Sequence, residues 1–237
     1  MGLSTSRPAD GLAVLPPADG GLARGVPAAA PGTLFVLGPY GGVSAPPTAG
    51  FSLLFGRNEP EVHVCVGDDD PHVSRRHGEI SFTGARWGLR NIGRSAIRLP
   101  GSRMLPTGQR ELLPTAYTPL FVISPHQQHL VEVLVAGPEP ARVALPRALS
   151  ADERLVLSCL GQRYLRHEAT PHPLSWSQVA SQLASLRPAE SWGVDRISRI
   201  VGDVRDRAVT GASVHDLLVE LVTSTTLVPT DLRLLSR

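Results

Sequence analysis

Three short blocks of polar residues have the side chains needed to bind a phosphate group: Gly56-Arg57, Ser74-Arg75-Arg76-His77 and Asn91-Ile92-Gly93. An arginine side chain presents a planar fork of N–H donors that matches the oxygens of a phosphate dianion, and a serine hydroxyl adds another donor. Each charge-assisted hydrogen bond contributes roughly 1.5–3 kcal/mol. Two or three of them would favour a phosphorylated ligand over its unphosphorylated form by roughly 10²–10⁴ in affinity.

The same blocks contain no pairing of residues that would catalyse a reaction on the phosphate. There is no cluster with metal-ligand spacing and no nucleophile placed next to a base. His63 and His72 lack partners at metal-ligand spacing, and the distant Cys65 and Cys159 are expected to be buried thiols. We therefore predict a binding protein that is not an enzyme and that uses no metal and no cofactor.

The elements that must position these blocks are short strands. From Thr33 onward, apolar runs of four to six residues alternate with turn residues about every ten positions, and several runs have a period of two. This pattern is typical of an all-β sandwich or barrel. Gly56-Arg57 and Ser74-Arg75 fall just after or between predicted strands, so they lie in loops that a rigid sheet holds in place.

The three blocks together, with about sixteen residues between Gly-Arg and Ser-x-x-His and with a Trp-x-Leu-x-Asn-x-Gly stretch last, resemble the forkhead-associated (FHA) domain family. The resemblance covers residues 33–136 and implies a β-sandwich whose loops bind phosphothreonine peptides. It implies a role for each matching residue. The phosphate-binding residues would be Arg57, Ser74 and Arg75, and the residues that brace the loops would be Gly56, which permits a tight turn, with His77, Asn91 and Gly93.

The second ligand loop departs from the family pattern. The family usually continues Gly-Ser-Thr-Asn-Gly, whereas this chain reads Gly93-Arg94-Ser95-Ala96-Ile97. Ser95 can replace the threonine hydroxyl that faces the phosphate, but Ala96 cannot replace the asparagine amide that holds the ligand backbone. Arg94 adds positive charge at this rim, and we hypothesise that it compensates for the lost amide.

The remaining segments have different compositions. Residues 1–32 are rich in Ala, Gly and Pro, which predicts a disordered tail. Residues 137–149 contain several prolines and are predicted to form a linker. From residue 150 the hydrophobic period becomes helical, with starts predicted at Ser150, Ser175, Gly193 and about Val214 and a short last helix after Leu227. We predict an α+β multidomain chain, in which the sandwich is followed by a small all-α bundle over 150–237.

The helical segment from Leu174 to Arg199 resembles a helix-turn-helix of bacterial regulators. If the helix predicted to start after Gly193 entered a DNA groove, Arg196 and Arg199 would face phosphates or bases. However, seven residues separate the two helices, and acidic residues neutralise the basic face. A protein-binding domain is the favoured prediction, and a DNA-binding transcription regulator gated by phosphothreonine is the alternative.

The bulk composition sets the cellular context. All 23 basic residues are arginine and the net charge is only +2, which indicates a GC-rich bacterial genome and gives no general affinity for nucleic acid. No apolar run is long enough to span a bilayer. We predict a cytoplasmic adaptor that binds a threonine-phosphorylated partner in a Ser/Thr kinase pathway. A phosphate-independent scaffold is a further alternative, because Ala96 stands where the family has the asparagine that holds the ligand backbone.

Overall fold

A computed structural model describes residues 11–18, 21–138, 148–207 and 213–236, and these divide into a β-sandwich unit and a helical unit. The sandwich strands are β1 (Ala13–Leu15), β2 (Leu34–Gly38), β3 (Gly41–Ala45), β4 (Ser52–Gly56), β5 (Val64–Cys65), β6 (Gly78–Phe82), β7 (Trp87–Asn91), β8 (Ile97–Leu99), β9 (Arg103–Leu105), β10 (Arg110–Leu112), β11 (Tyr117–Ile123) and β12 (Gln128–Val135). One sheet has the order β1-β3-β2-β12-β11-β8-β9, and the other has the order β10-β7-β6-β4-β5.

Alternating side chains of these strands form the sandwich core. In β7, Trp87 and Leu89 point inward, and the same alternation places Asn91 inside at the end of the strand. Phe55 of β4 pairs with Gly78 of β6, and Gly78 pairs with Asn91. The end of β4, the start of β6 and the end of β7 therefore lie at one edge of the sheet, and the loops that carry the predicted site leave from that edge.

The prediction that residues 1–32 form a disordered tail is wrong for part of that segment. Residues Ala13–Leu15 form a strand that pairs antiparallel with β3, with Ala13 opposite Ser44. Val14 is 83% exposed, so the strand is held by main-chain pairing more than by buried side chains. Composition missed this strand because ladder hydrogen bonds need no large side chains.

A second ordered piece of the same segment belongs to the helical unit. Residues Leu22–Arg24 form one 3₁₀ turn in which Leu22 is buried. The Arg24 side chain donates hydrogen bonds to the main-chain oxygens of Thr225 and Thr226, at 3.2 Å each. These contacts tie the turn to the end of the helical unit.

The helical unit contains α1 (Ala151–Leu160), α2 (Gln162–Leu165), α3 (Trp176–Leu186), α4 (Val194–Asp206) and α5 (Val214–Thr223), and further 3₁₀ turns lie at Pro100–Ser102 and Pro229–Leu235. Ser150 and Ser175 cap their helices in capping boxes with Glu153 and Gln178. The predicted sandwich followed by helices is thus confirmed. Most of the predicted linker, residues 139–147, lies outside the described residues.

In the part of the chain that the structure describes, no helix is long and apolar enough to cross a membrane.

Candidate functional site

Arg57 follows β4 directly and is held against the loop that carries Ser74. Its main-chain N–H donates to the Ser74 oxygen at 3.2 Å, and its Nε donates to the Val73 oxygen at 2.9 Å. Within the described residues, its two terminal amino groups have no hydrogen-bond or ion-pair partner. The half-buried fork is therefore fixed in direction, and its outer donors remain available for an anion.

Gly56 is required for a reason other than the one predicted. It was expected to permit a tight turn, but its φ lies outside the left-handed region. A Cβ at this position would lie 2.3 Å from the Arg75 main-chain oxygen and 2.9 Å from the His77 nitrogen. Gly56 is needed because the 74–77 loop packs directly on β4, and any side chain would push that loop away.

Ser74 and Arg75 lie on this loop with different exposures. The Ser74 side chain is buried, and its Oγ accepts a hydrogen bond from the Arg94 main-chain N–H at 2.9 Å. Its hydroxyl proton has no acceptor among the described residues, so it can still donate to a ligand. Arg75 is exposed, and no partner holds its guanidinium in the described part of the chain.

His77 lies fully buried beneath the two ligand loops. Its Nδ1 accepts from the Ser74 N–H at 3.1 Å, and its Nε2 donates to the Ser95 oxygen at 3.0 Å. This pattern requires the neutral tautomer with the proton on Nε2. Burial lowers the pKa of His77, while the hydrogen bond to Ser95 acts in the opposite direction. The neutral ring thus joins one loop to the other.

Asn91 and Gly93 shape the second loop. The buried Asn91 amide donates to the Ser95 oxygen at 2.9 Å and to the Leu105 oxygen at 2.8 Å, and its Oδ1 accepts from the Gly93 N–H at 2.9 Å. A Cβ on Gly93 would lie 2.7 Å from the His77 ring. These two residues fix the course of the loop, and Thr107, which the sequence analysis did not identify, adds a bond from its Oγ1 to the Gly93 oxygen at 2.8 Å.

Ser95 differs from its predicted role. Its hydroxyl donates to the main-chain oxygen of His72 at 3.0 Å, so its proton is already engaged. In this arrangement Ser95 joins the two ligand loops, and a donated bond to phosphate would require the hydroxyl to rotate away from His72. Arg94 is exposed, and its guanidinium has no partner among the residues described.

Asp70 is a second residue that the sequence analysis did not identify. Its Oδ1 accepts from the His72 N–H at 2.9 Å, and its Oδ2 lies 2.7 Å from His129 Nε2. The signal for the first contact is the Asp70-Pro71-His72 sequence, because an Asp before Pro commonly caps a turn with its own side chain. The contact with His129, which lies 59 residues away, leaves no local signal.

Stability of the sandwich is expected to depend on pH through His77. Because the folded pKa of His77 is lowered, its stabilising contribution is complete above the unfolded value of about 6.5 and is lost as the pH falls from there through the folded value. We expect the free energy of unfolding to decrease from pH 7 to pH 5, by at most about 1.4 kcal/mol per pH unit for this group. Denaturant titrations at each pH measure this free energy of unfolding.

His63 requires a control, because burial also lowers its pKa. A His63→Gln variant removes that contribution, so the pH dependence that remains belongs largely to His77. A free energy of unfolding that does not change over this pH range in His63→Gln would contradict the neutral, buried state of His77.

Arg196 and Arg199 lie on α4 of the helical unit. Arg196 forms ion pairs with Asp152 at 2.8 Å and Glu190 at 3.5 Å, and its guanidinium lies 3.8 Å from the centre of the Trp192 ring. It would have to leave these partners to contact DNA. Arg199 is exposed. DNA binding by these residues stays a prediction.

The comparisons with known proteins agree with the predicted FHA domain. The family model of the FHA domain matches residues 53–115, so the presence of this domain is confirmed. The search of curated proteins found no match.

Among solved structures, the chain is similar to Mycobacterium tuberculosis Rv1747 FHA-1, with 22% identity, a TM-score of 0.36 and coverage of 45% of this chain and 99% of that chain. It is also similar to the N-terminal FHA domain of Saccharomyces cerevisiae Rad53p in complex with a phosphothreonine peptide, with 16% identity, a TM-score of 0.35 and coverage of 44% and 93%.

Proposed function

We propose that the FHA unit binds a partner protein phosphorylated on threonine, and that the chain acts as a phosphorylation-dependent adaptor. The observation that carries this proposal is the Arg57 guanidinium, which is fixed through its Nε bond to the Val73 oxygen and whose two terminal amino groups have no partner among the described residues. A guanidinium that is already held in one direction presents its remaining donors to an anion at little ordering cost. A phosphate dianion matches both its charge and its geometry.

The surrounding loops support an anionic ligand. Arg57, Arg75 and Arg94 come from three separate loops, and none of them forms an ion pair within the described residues. The bonds from Arg94 to Ser74 and from Ser95 to His72 join these loops. Because the loops are already tied together, little ordering would be required on binding, which favours affinity.

The site is suited to hold a phosphate group without cleaving it. His77 lies beneath the Ser74 loop, but its Nδ1 accepts from the Ser74 main-chain N–H and does not contact the hydroxyl. Both of its ring nitrogens are engaged, so it cannot serve as a general base for Ser74. We therefore propose a reader of phosphothreonine with no catalytic role.

The cellular setting of the proposal rests on the sequence. The arginine-only basic composition supports a bacterial source, so the kinase would be a bacterial Ser/Thr kinase acting in the cytoplasm. The helical unit would carry the output by binding protein. The ion pairs of Arg196 favour this reading over DNA binding, because they neutralise the basic face that DNA would need.

Fluorescence anisotropy with a degenerate phosphothreonine peptide library and its unphosphorylated twin tests the proposed function. We expect the full chain to bind the phosphorylated library in the micromolar range and the unphosphorylated one at least ~100-fold more weakly. Equal binding to both libraries would favour the phosphate-independent scaffold.

Replacing Ala96 with asparagine is expected to tighten binding of phosphothreonine peptides by roughly 3–10-fold, about the value of one added hydrogen bond to the ligand backbone. Ala96 is half-buried at the rim, and its own main-chain oxygen is occupied by the Ile123 N–H. Anisotropy titrations of Ala96→Asn and Ala96→Ser provide the comparison, since serine lacks the amide. An asparagine variant that binds no tighter than wild type would count against the idea that Ala96 lowers the affinity for the peptide backbone.

A further inference from the structure

An open groove of about 610 Å³ lies between α2 and α3 of the helical unit. Its first wall consists of Gln162, Arg163 and Arg166, which belong to α2 and its C-terminal cap. Its second wall is one face of α3 between residues 177 and 185. Among the described residues, Leu174 is the single apolar side chain that lines the groove, and no carboxylate lines it. A groove of this composition suits a polar ligand and not an apolar one.

Hydrogen bonds hold the first wall of the groove in place. The buried Gln162 side chain donates to the Gln182 Oε1 at 3.0 Å and accepts from the Arg166 guanidinium at 2.8 Å. The Arg163 guanidinium contacts the ring of the exposed His172. Because both arginines are positioned by contacts within the helical unit, little ordering cost would remain when a ligand binds them.

The positive charge of these two arginines is only partly balanced. Burial lowers the pKa of the Arg166 guanidinium, and the like charge of Arg163 acts in the same direction. Glu168 acts in the opposite direction, but its carboxylate does not line the groove. An anionic group beside both guanidiniums would offset their repulsion and accept charge-assisted hydrogen bonds from them.

The second wall of the groove carries no charge, although it faces solvent. No charged residue occurs in α3, whereas α1, α4 and α5 each carry at least two. Its lining side chains are Ser177, Gln178, Ser181, Gln182 and Ser185. Serine is a poorer helix former than alanine or glutamate, so helix stability does not account for these serines. Hydroxyls and amides both donate and accept hydrogen bonds, and so does the main chain of a peptide.

The spacing of the three serines fits an extended peptide. Ser177, Ser181 and Ser185 follow one another at every fourth residue, which is about 6.0 Å along a helix. Side chains on one side of an extended chain repeat every two residues, which is about 6.8 Å. An extended segment along α3 would therefore meet one serine for about every two of its residues. A helical ligand matches less well, because its main-chain groups already bond to one another.

We propose that this groove binds an extended acidic segment of a partner protein, with a Glu or Asp carboxylate on Arg163 and Arg166 and the main chain of the segment along the serines of α3. This inference rests on the proposed role of the helical unit, which is to bind protein. Nucleic acid is the other polyanion that two arginines could attract. Residues 150–237 contain ten arginines and ten acidic residues, so this unit lacks the general positive charge that nucleic acid binding requires.

Fluorescence anisotropy of the full chain with short unphosphorylated peptides tests the groove. One degenerate set carries two Glu residues at fixed positions, and its twin carries Gln at the same positions. Neither set contains phosphothreonine, so the result does not depend on the phosphate site of the FHA unit. We expect the Glu set to bind about five-fold more tightly than the Gln set, a range typical of partly exposed ion pairs. A labelled DNA duplex is the probe for nucleic acid.

The variant that removes the charge of the groove is Arg163→Gln with Arg166→Gln. We expect it to lose the preference for the Glu set while its affinity for phosphothreonine peptides is unchanged. Arg187→Gln with Arg205→Gln is the matched control, because both arginines are exposed and neither lines the groove. This control loses the same charge and should keep the preference. Arg163→Gln alone, which keeps the bond from Arg166 to Gln162, serves as a second test if the double variant does not fold.

Indole N–H resonances of the ¹⁵N-labelled chain locate the bound peptide. Trp176 directly precedes Ser177 at the start of α3, whereas Trp87 is buried in the sandwich. We expect the Glu peptides to shift the resonance of Trp176 and to leave that of Trp87 unchanged. A shift of the Trp87 resonance alone would place the peptides on the sandwich and overturn the inference.

The titrations decide between the groove and its alternatives. Equal binding of the two peptide sets, or a preference that survives in the groove variant, would overturn the groove and leave the phosphothreonine reader standing. A DNA duplex that displaces the Glu peptides and no longer binds the groove variant would show that nucleic acid is the occupant, which also overturns the proposal. Phosphothreonine peptides that fail to bind, beside an intact preference for the Glu set, would remove the reader function and support the groove.

Discussion

Arg57→Ala is expected to lower the affinity for a phosphothreonine peptide by at least ~100-fold. The substitution removes two amino groups that have no protein partner in the described part of the chain and would bind the phosphate. Two charge-assisted bonds contribute roughly 3–6 kcal/mol together, which corresponds to roughly 10²–10⁴ in the dissociation constant. Anisotropy titration with one fixed peptide, phosphorylated and unphosphorylated, measures the change.

Two further variants serve as controls. One tests whether the planar geometry of the guanidinium matters beyond its charge, and the other tests whether the loss of an arginine elsewhere on the sandwich also lowers affinity. Arg57→Lys keeps the charge but not the fork, so an affinity between those of wild type and Arg57→Ala is expected. Arg86→Ala is the matched control, because Arg86 is exposed in the turn between β6 and β7, at the other end of those strands. The Nε bond to Val73 is also lost in Arg57→Ala, so thermal unfolding should be compared. Wild-type affinity in Arg57→Ala would refute phosphate binding at this site.

Asn91→Ala is expected to lower the free energy of unfolding of the sandwich unit by roughly 2–4 kcal/mol. The fully buried amide makes bonds to the Ser95 oxygen, the Leu105 oxygen and the Gly93 N–H, and alanine would remove all three. The Ser95 oxygen and the Gly93 N–H keep bonds to His77, so the expected loss is the net contribution of the three bonds, about 0.5–1.5 kcal/mol each. For a unit of about 100 residues, the melting temperature should fall by about 8 °C or more.

The same substitution should weaken peptide binding indirectly, because the loop that carries Arg94 and Ser95 would lose its anchor. Asn58→Ala is the matched control, since Asn58 is half-buried and its side chain makes no hydrogen bond in the described residues. Denaturant unfolding of both variants tests the prediction. A loss in Asn91→Ala no larger than that in Asn58→Ala would show that the 92–95 loop does not depend on the amide.

Local patterns in the sequence were sufficient for most elements of the fold, although not for β1. Alternation of apolar residues located the strand that ends at Asn91 and the strand that begins just after His77, because side chains of a strand face opposite sides of the sheet. Serines followed three residues later by Glu or Gln located the starts of α1 and α3, because a capping box is a local contact. The three polar blocks indicated an FHA domain for the same reason, since each is contiguous in the chain.

The tertiary structure decided what each site residue contacts. Ser74 Oγ receives its bond from a residue 20 positions away, and Ser95 donates to one 23 positions away. These hydrogen bonds form because neighbouring strands bring distant loops to one edge of the sheet. A local sequence pattern does not show which strands are neighbours. For this reason the sequence determined most of the strands, the helix caps and the types of residue that can bind phosphate. Only the fold decided that Arg57 keeps two donors without a partner among the described residues, that Ser95 joins the loops and that Gly56 serves close packing.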